Sequence, residues 1–223
     1  MDRQRLASFL DFANHHQEAT PEDIKILCQK VRQYGFHSAF VNPCYVALAK
    51  DLLSEGIVGT VISFPLGQDT RDIKILAAIN AVRIGADELD VMMNVGLFKA
   101  GKQKEVLEEM KAVIEAAKEI RSKVIVKFII ETGLLTDEEI KKASQLVLKS
   151  GADFLKICSG LGPRGASLKD VELVKGVVAD KIRIKVAGGV DTYKEAIDFI
   201  NKGVARIGTS HAVEIIEGYQ RSK

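Results

Sequence analysis

Eight short apolar runs recur along the 223-residue chain, at 7–12, 37–41, 57–64, 87–92, 123–130, 153–158, 182–187 and 205–209, and longer amphipathic stretches separate them. A short run that is apolar on both faces predicts a strand of a parallel sheet covered by helices. The stretches between the runs carry helix signals. Thr20-Pro21-Glu22-Asp23 offers an N-cap, a proline at the first helical position and an early acid, and Thr136 with Glu139 and Thr192 with Glu195 match the reciprocal capping box. Val106, Met110, Val113, Ala117 and Ile120 form one apolar stripe at helical spacing. Gly35, Gly85, Gly151 and Gly203 fall near predicted helix ends. Eight such units in this length predict an α/β fold, a (β/α)8 TIM barrel spanning residues 1–223 as a single domain, with a doubly wound open sheet as the competitor. No proline-rich linker, low-complexity tract or charge block marks a second domain.

Composition narrows the partners. A net charge of +2 gives no basis for a nucleic-acid or membrane partner. Cys28, Cys44 and Cys158 have neither zinc-type spacing nor a disulfide framework, which predicts a reducing cytoplasm. No apolar run approaches membrane-spanning length, and the opening Met-Asp-Arg-Gln-Arg lacks a signal-peptide pattern.

Strand alternation sorts the charged residues. Glu88, Asp90 and Met92 share one face of their run, opposite Leu89 and Val91. Lys127 opposes Val126 and Phe128, Lys156 opposes Leu155 and Ile157, and Lys185 opposes Ile184 and Val186. With the bulky aliphatic faces turned to the helices, Asp90, Lys127, Lys156 and Lys185 converge inside the barrel from four consecutive strands, near the ends where barrel enzymes place their chemistry. Burying an ammonium is costly, and two on neighbouring strands repel, so both effects favour a neutral amine. A neutral lysine condenses with a carbonyl to form a Schiff base, and such chemistry needs no cofactor or metal. A buried ion-pair network without activity is the competing reading, yet three lysines against one obvious carboxylate predict an excess of interior positive charge.

Other motifs rank lower. Gly188-Gly189 after the seventh run and Gly208-Thr209-Ser210 at the end of the eighth stand where such barrels bind phosphate. Gly160-Leu-Gly162-Pro-Arg-Gly165 matches a dinucleotide fingerprint in letters, but Pro163 interrupts the helix start and no suitable acid follows, so a loop over the barrel mouth is expected. His15 and His16 read as a solvated loop, since adjacent histidines share no face and no ligand cluster accompanies them. Cys44 and Cys158 read as small, partly buried side chains lining the barrel, not as nucleophiles.

Residues from about 38 to 215 resemble the deoxyribose-phosphate aldolases, a class I (Schiff-base) family. The resemblance rests on Val41-Asn-Pro-Cys-Tyr-Val46, Val61-Ile-Ser-Phe-Pro-Leu-Gly67, Ala86-Asp-Glu-Leu-Asp-Val91 and Val126-Lys-Phe-Ile-Ile-Glu-Thr132. It continues through Ala152-Asp-Phe-Leu-Lys-Ile-Cys-Ser-Gly160, Ile184-Lys-Val-Ala-Gly-Gly-Val190 and Arg206-Ile-Gly-Thr-Ser210. It implies that Lys156 is the Schiff-base lysine, Lys185 the second lysine that depresses its pKa, and Asp90 the acid/base partner. It further implies that Lys127 and Asp11 belong to the supporting polar network, and that Gly188, Gly189, Gly208, Thr209 and Ser210 hold the substrate phosphate. The implied reaction is the reversible cleavage of 2-deoxy-D-ribose 5-phosphate to D-glyceraldehyde 3-phosphate and acetaldehyde, with small-molecule partners only and association into a homo-oligomer as a possibility of the family. A sugar-phosphate isomerase and a non-catalytic sugar-phosphate-binding protein are the alternatives on the same barrel.

The chain departs from the family at several points. Asp11-Phe-Ala-Asn-His-His-Gln17 replaces a segment like Asp-His-Thr-Leu-Leu-Lys-Pro, so a hydroxyl is lost at Ala13 and a lysine at His16. Lys156-Ile-Cys-Ser-Gly160 replaces Lys-Thr-Ser-Thr-Gly, which predicts weaker placement of substrate hydroxyls. His211 follows Ser210 where a small residue is common, and the C-terminal tyrosine of the family has a counterpart only in the unaligned Tyr219.

Overall fold

The computed structural model describes residues 1–221, with side chains through Tyr219. Eight parallel strands close into a barrel in chain order: β1 Leu10–Asn14, β2 Ser38–Val41, β3 Ile57–Ile62, β4 Glu88–Met92, β5 Ile125–Ile129, β6 Phe154–Lys156, β7 Arg183–Ala187 and β8 Arg206–Thr209. The pairing of β1 with β8, Leu10 to Ile207 through Phe12 to Thr209, closes the ring and rules out the open sheet. The helices are α1 Arg3–Ala7, α2 Pro21–Tyr34, α3 Val46–Leu52, α4 Arg71–Arg83, α5 Val95–Lys99, α6 Gln103–Ile120, α7 Asp137–Ser150, α8 Leu168–Val178, α9 Tyr193–Asn201 and α10 Ala212–Arg221. Among the described residues, no helix is long and apolar enough to cross a membrane.

The first strand starts later than its run suggests. Asp2 caps α1 by accepting from the Arg5 amide at 2.7 Å, and Ser8 closes that helix, so the strand begins only at Leu10. The apolar run at 7–12 therefore straddles a helix end and a strand start. Elsewhere the strands lie within the predicted runs but are shorter. β6 keeps only Phe154–Lys156, which leaves Lys156 at the rim.

Local chemistry accounts for the helix ends. The capping boxes at Thr20/Asp23, Thr136/Glu139 and Thr192/Glu195 are all formed, and Ser167/Asp170 adds another. A cap of this kind stabilises a helix by about 1 kcal/mol. Gly35 and Gly151 end α2 and α7 in the left-handed region, where a side chain is strained. Along α6, Val106, Met110, Val113 and Ala117 face the sheet, while Ile120 in the last turn emerges at 37% exposure.

Between sheet and helices lies a continuous apolar layer. Leu89, Val91, Val126, Phe128, Leu155, Ile184 and Val186 all point into it, as the alternation predicts. Each such fully buried side chain contributes about 1.5–3 kcal/mol. Polar pairs interrupt the layer, among them Lys74 of α4, which donates to Glu109 of α6 at 2.6 Å and to the Met92 carbonyl at 3.1 Å. Inside the barrel, the Phe40 ring packs against Lys185 and covers Lys127, which lies deeper. Gly59 makes room for the ring, since a Cβ there would lie 2.2 Å from the Phe40 Cζ.

Candidate active site

A cavity of about 450 Å³ opens at the C-terminal end of the strands, and Lys156 and Lys185 lie at its floor. Register sets the two lysines side by side: Lys156 of β6 pairs directly with Lys185 of β7. Both are almost sealed from solvent, at 2% and 1% exposure, and Asp90 is fully buried. Asp90 Oδ2 takes both amines, Lys156 Nζ at 2.8 Å and Lys185 Nζ at 2.9 Å, while Oδ1 faces Lys127 Nζ at 3.0 Å.

The four residues predicted to converge do so, but at two depths. Lys127 is not part of the cavity lining. It lies one layer lower, bound to Glu88 and Asp90, with its ammonium 4.7 Å from the Phe40 ring centre. Asp11 also sits below the floor, 2.6 Å from Lys185 Nζ through Oδ2, with Oδ1 accepting from Ser38 at 2.7 Å. Lys185 Nζ stands 3.6 Å from the Phe40 ring centre, a cation–π contact that stabilises an ammonium held out of water.

A tally of one carboxylate is too low, but an excess of one basic group remains, since Lys127, Lys156, Lys185 and Arg206 face three carboxylates. Three carboxylates, Asp11, Glu88 and Asp90, meet the three lysines, and His37 pairs with Glu88 at 3.0 Å. Arg206 approaches Asp11 at 3.7 Å. Asp11 escaped the tally because its strand was displaced toward the N-terminus, so its inward face was not assigned. Asp11, His37 and Glu88 place ligand-type atoms within 4.8 Å of one another. Yet Lys127 already neutralises Glu88 and Lys185 neutralises Asp11, so the cluster suits ammonium groups better than a metal cation.

Electrostatics separates the lysines. Burial pushes the Lys156 pKa down, the neighbouring Lys185 and Lys127 ammonium groups push the same way, and Asp90 pulls against them, leaving it below the ordinary lysine value. Lys127 goes the other way: burial works against its charge, but Asp90, Glu88 and Asp11 prevail and raise its pKa. For Asp90, burial alone would favour the acid. Lys127, Lys156 and Lys185 outweigh it and hold the carboxyl well below the usual carboxylate range. The site thus holds a carboxyl biased toward its anion, a lysine biased toward its cation and, at the cavity floor, an amine whose pKa is lowered.

Gly188, Gly189, Gly208, Thr209 and Ser210 all line the cavity on its β7–β8 side, together with Gly160. Gly188 and Gly189 have φ of 77° and 71°, so the chain bends with its backbone open to the cavity. The loop at 160–165 lies over the mouth, as its broken helix start predicts. Gly165 packs on the Gly188 carbonyl so closely that a Cβ would lie 2.4 Å from it, and Arg164 anchors the loop to Asp170.

Several expectations are corrected. Cys158 does not line the cavity, while Ile157 faces outward as its alternation with Lys156 predicts. Both sit in the outer apolar core, where the Cys158 thiol contacts Thr132 Oγ1 at 3.1 Å and burial raises its pKa to about 11. Their difference from the family pattern therefore leaves the cavity wall unchanged. Cys44 is exposed, not a lining residue, because the turn at Pro43–Tyr45 carries it out of the strand. Tyr219 packs edge-on against Tyr193 at 5.7 Å, between α9 and α10. His15 is not a solvated loop residue. It lines the cavity and packs on Phe64 at 5.3 Å. Period-2 spacing from Asp11 through Ala13 would have pointed to it.

Comparison with known proteins agrees with this geometry. The pattern of the family described as DeoC/LacD family aldolase matches residues 3–211. The chain is 44% identical over 216 residues to a deoxyribose-phosphate aldolase of Carboxydothermus hydrogenoformans, covering 96% of this chain and 95% of that one. It is 42% identical over 222 residues to that of Thermococcus kodakarensis, covering 98% of each. Among solved structures, "QR15, an Aldolase" superposes with a TM-score of 0.91 at 35% identity, covering 98% of this chain and 96% of that one. The deoxyribose phosphate aldolase of Aeropyrum pernix, described as a unique tetrameric structure, superposes with a TM-score of 0.92 at 27% identity, covering 100% and 94%. Near-complete coverage, the same closed barrel and a lysine-paired floor lead to one assignment: the chain belongs to the DeoC/LacD aldolase family.

Proposed function

We propose that residues 1–223 work as a single class I aldolase unit that reversibly cleaves 2-deoxy-D-ribose 5-phosphate to D-glyceraldehyde 3-phosphate and acetaldehyde. The observation that carries this reading is the placement of Lys156, a desolvated amine at the floor of an open cavity, beside a second lysine on the same carboxylate oxygen. Family membership supplies the reaction class, and the names of the relatives supply the substrate.

In this mechanism the Lys156 amine attacks the substrate aldehyde carbon, and loss of water leaves a protonated imine. The cation draws the electron pair of the C2–C3 bond as that bond breaks, leaving an enamine over C1 and C2, and the C3 hydroxyl gives up its proton to Asp90 through a water as C3 becomes the aldehyde carbon of the departing product. Glyceraldehyde 3-phosphate departs. Protonation of the remaining enamine and hydrolysis of the imine release acetaldehyde and restore the amine. Lys185 holds Lys156 unprotonated between turnovers and stabilises the polar intermediates, while Lys127 and Asp11 fix the positions of Asp90 and Lys185. The exposed backbone of Gly188, Gly189 and Gly208, with Thr209 and Ser210, anchors the phosphate and so orients the reacting carbon. An isomerase is not favoured, because it forms no imine and leaves the paired Lys156 and Lys185 at the cavity floor without a role. Incubation with deoxyribose 5-phosphate should release acetaldehyde and glyceraldehyde 3-phosphate in equal amounts. Exchange of substrate protons without carbon–carbon cleavage would instead establish isomerisation.

We further propose a cytoplasmic location, supported by the three free thiols, and a homo-oligomeric state, supported by the tetramer described for the Aeropyrum relative. Leu66, Ile73 and Leu76 are more than half exposed and offer the apolar surface such a contact uses. Sedimentation equilibrium should give a mass above 24.4 kDa, and a monomer at micromolar concentration would remove this part of the proposal.

A further inference from the structure

Among the described residues, no lysine or arginine lines the phosphate end of the cavity, between the loops after β7 and β8. The charged side chain in that wall is a carboxylate, Asp191. Its Oδ1 lies 3.0 Å from His211 Nδ1, and the same nitrogen lies 3.2 Å from the Ser210 hydroxyl, so the carboxylate stands two contacts from a residue assigned to the phosphate. With the imidazole neutral the pair carries one negative charge; with the imidazole protonated it carries none. In neither state does it offer a phosphate net positive charge. Across the mouth, His16 and Glu18 line the cavity as a second pair of this kind, 4.0 Å apart. The lysines at the floor are engaged by Asp90 and Asp11.

Donors at this end are spent as well. The amides of Asp191 and Thr192, at the start of α9, both donate to Glu195 Oε2 at 3.0 Å. A carboxylate of the chain itself thus occupies the place where a helix N-terminus would hold an anion. The Thr209 hydroxyl donates to the Val190 carbonyl at 2.8 Å and accepts from the His211 amide at 2.9 Å, so Thr209 can meet a phosphate only through its backbone. Each hydrogen bond from a charged donor would strengthen the hold on a phosphate by roughly ten- to a hundredfold, and the described residues place no such donor here. A sugar that ends in a hydroxyl loses nothing by this, and its hydroxyl can donate to the carboxylate.

We propose that Asp191 is a specificity-determining residue that opposes a phosphate and accepts a hydrogen bond from a terminal hydroxyl, so that unphosphorylated 2-deoxyaldoses are substrates of this site. The proposal rests on the aldolase reading and extends its substrate class from the phosphate ester to the free sugar. The Asp191 side chain is 55% exposed, so solvent and salt screen its charge and the effect on a phosphate is several-fold.

The test compares D-glyceraldehyde 3-phosphate with D-glyceraldehyde as acceptors, each condensed with acetaldehyde at low ionic strength. The two differ only in the terminal group. The wild type should prefer the phosphate ester by less than about a hundredfold in kcat/KM, below what two charged hydrogen bonds would supply. Asp191→Asn keeps the shape and, whichever state His211 is in, makes this end more positive by one charge. It should raise the preference for the phosphate ester roughly three- to tenfold, and Asp191→Arg should raise it further. A wild type that prefers the phosphate ester by more than about a hundredfold overturns the proposal without any variant. So does an Asp191→Asn variant that slows both acceptors equally or leaves the preference where it was, since that reports at most a disturbed wall. Borohydride trapping of acetaldehyde on wild-type Lys156 separates the two readings. Without an adduct the aldolase reading fails and takes this proposal with it; with an adduct and an unmoved preference, only the role of Asp191 falls.

Discussion

Lys156→Ala is expected to lower kcat/KM for deoxyribose 5-phosphate cleavage by on the order of 10⁴-fold or more, because no covalent route survives without the nucleophile. Replacement of a buried ammonium by a methyl group should leave the barrel folded, since one of the three cations sharing Asp90 is removed and Asp90 keeps two. The direct measurement is borohydride reduction in the presence of acetaldehyde, followed by intact mass and peptide mapping. The wild type should gain one ethyl group on Lys156, and the alanine variant none. A trapped adduct on Lys185 instead would reverse the roles of the two lysines. The pH dependence gives a second check. In the proposed mechanism the neutral form of Lys156 is the one that reacts, and burial followed by repulsion from Lys185 lowers its pKa. Activity should therefore rise along an acid limb placed below the ordinary lysine value. Lys185→Leu removes one repelling cation, so the limb should move to higher pH. A limb that stays in place or moves to lower pH would mean that Lys185 does not tune the nucleophile.

Much of this site was readable before any coordinates, for a physical reason. In a barrel of short strands, period-2 alternation assigns each residue to the core or the interior, and an interior lysine in a run such as Phe154-Leu-Lys156 has nowhere else to go. The parallel pairing of neighbouring strands then brings Lys156 and Lys185 together. What was lost lies where a period changes or a strand stops. The run at 7–12 mixes the end of α1 with the start of β1, so the sequence does not show which residues Asp11 meets and the interior carboxylates are undercounted. His15 lies just past Asn14, the last residue of β1, and two adjacent histidines read as polar loop until the rings of Phe40 and Phe64 are seen to enclose one of them. Cys158 lies two residues past the last residue of β6, where the alternation that turns Ile157 outward no longer holds. Depth was also invisible: sequence places Lys127 on the inward face but cannot show that it sits below the floor, sealed by Phe40.

Asp90→Asn is expected to cost more stability than the loss of any one lysine, about 3–5 kcal/mol, because it leaves buried cations without their shared counter-charge. The amide preserves shape, so packing cannot account for the loss. Lys127, Lys156 and Lys185 would then depend on Glu88 and Asp11 alone, and Lys156 contacts neither. The pH dependence follows from the sign of the shift. The folded-state pKa of Asp90 lies well below its ordinary value of 3.8, so the unfolded chain takes up the proton first as pH falls. The stabilisation is therefore fully present at neutral pH and is lost progressively below about pH 5. Urea denaturation of wild type and variant should show a wide gap at pH 7 that narrows as the buffer is acidified. Lys185→Met, which removes a cation instead, should be much milder at pH 7. Activity separates this effect from nucleophile protonation. Loss of the Asp90 charge lowers the Lys156 pKa further, so the amine in the variant is more neutral, yet turnover should still drop about 10²–10⁴-fold for want of the proton carrier. If Asp90→Asn kept wild-type turnover while losing stability, the carboxylate would be only the counter-ion of the lysines, and the proton transfers would have to be assigned elsewhere in the cavity.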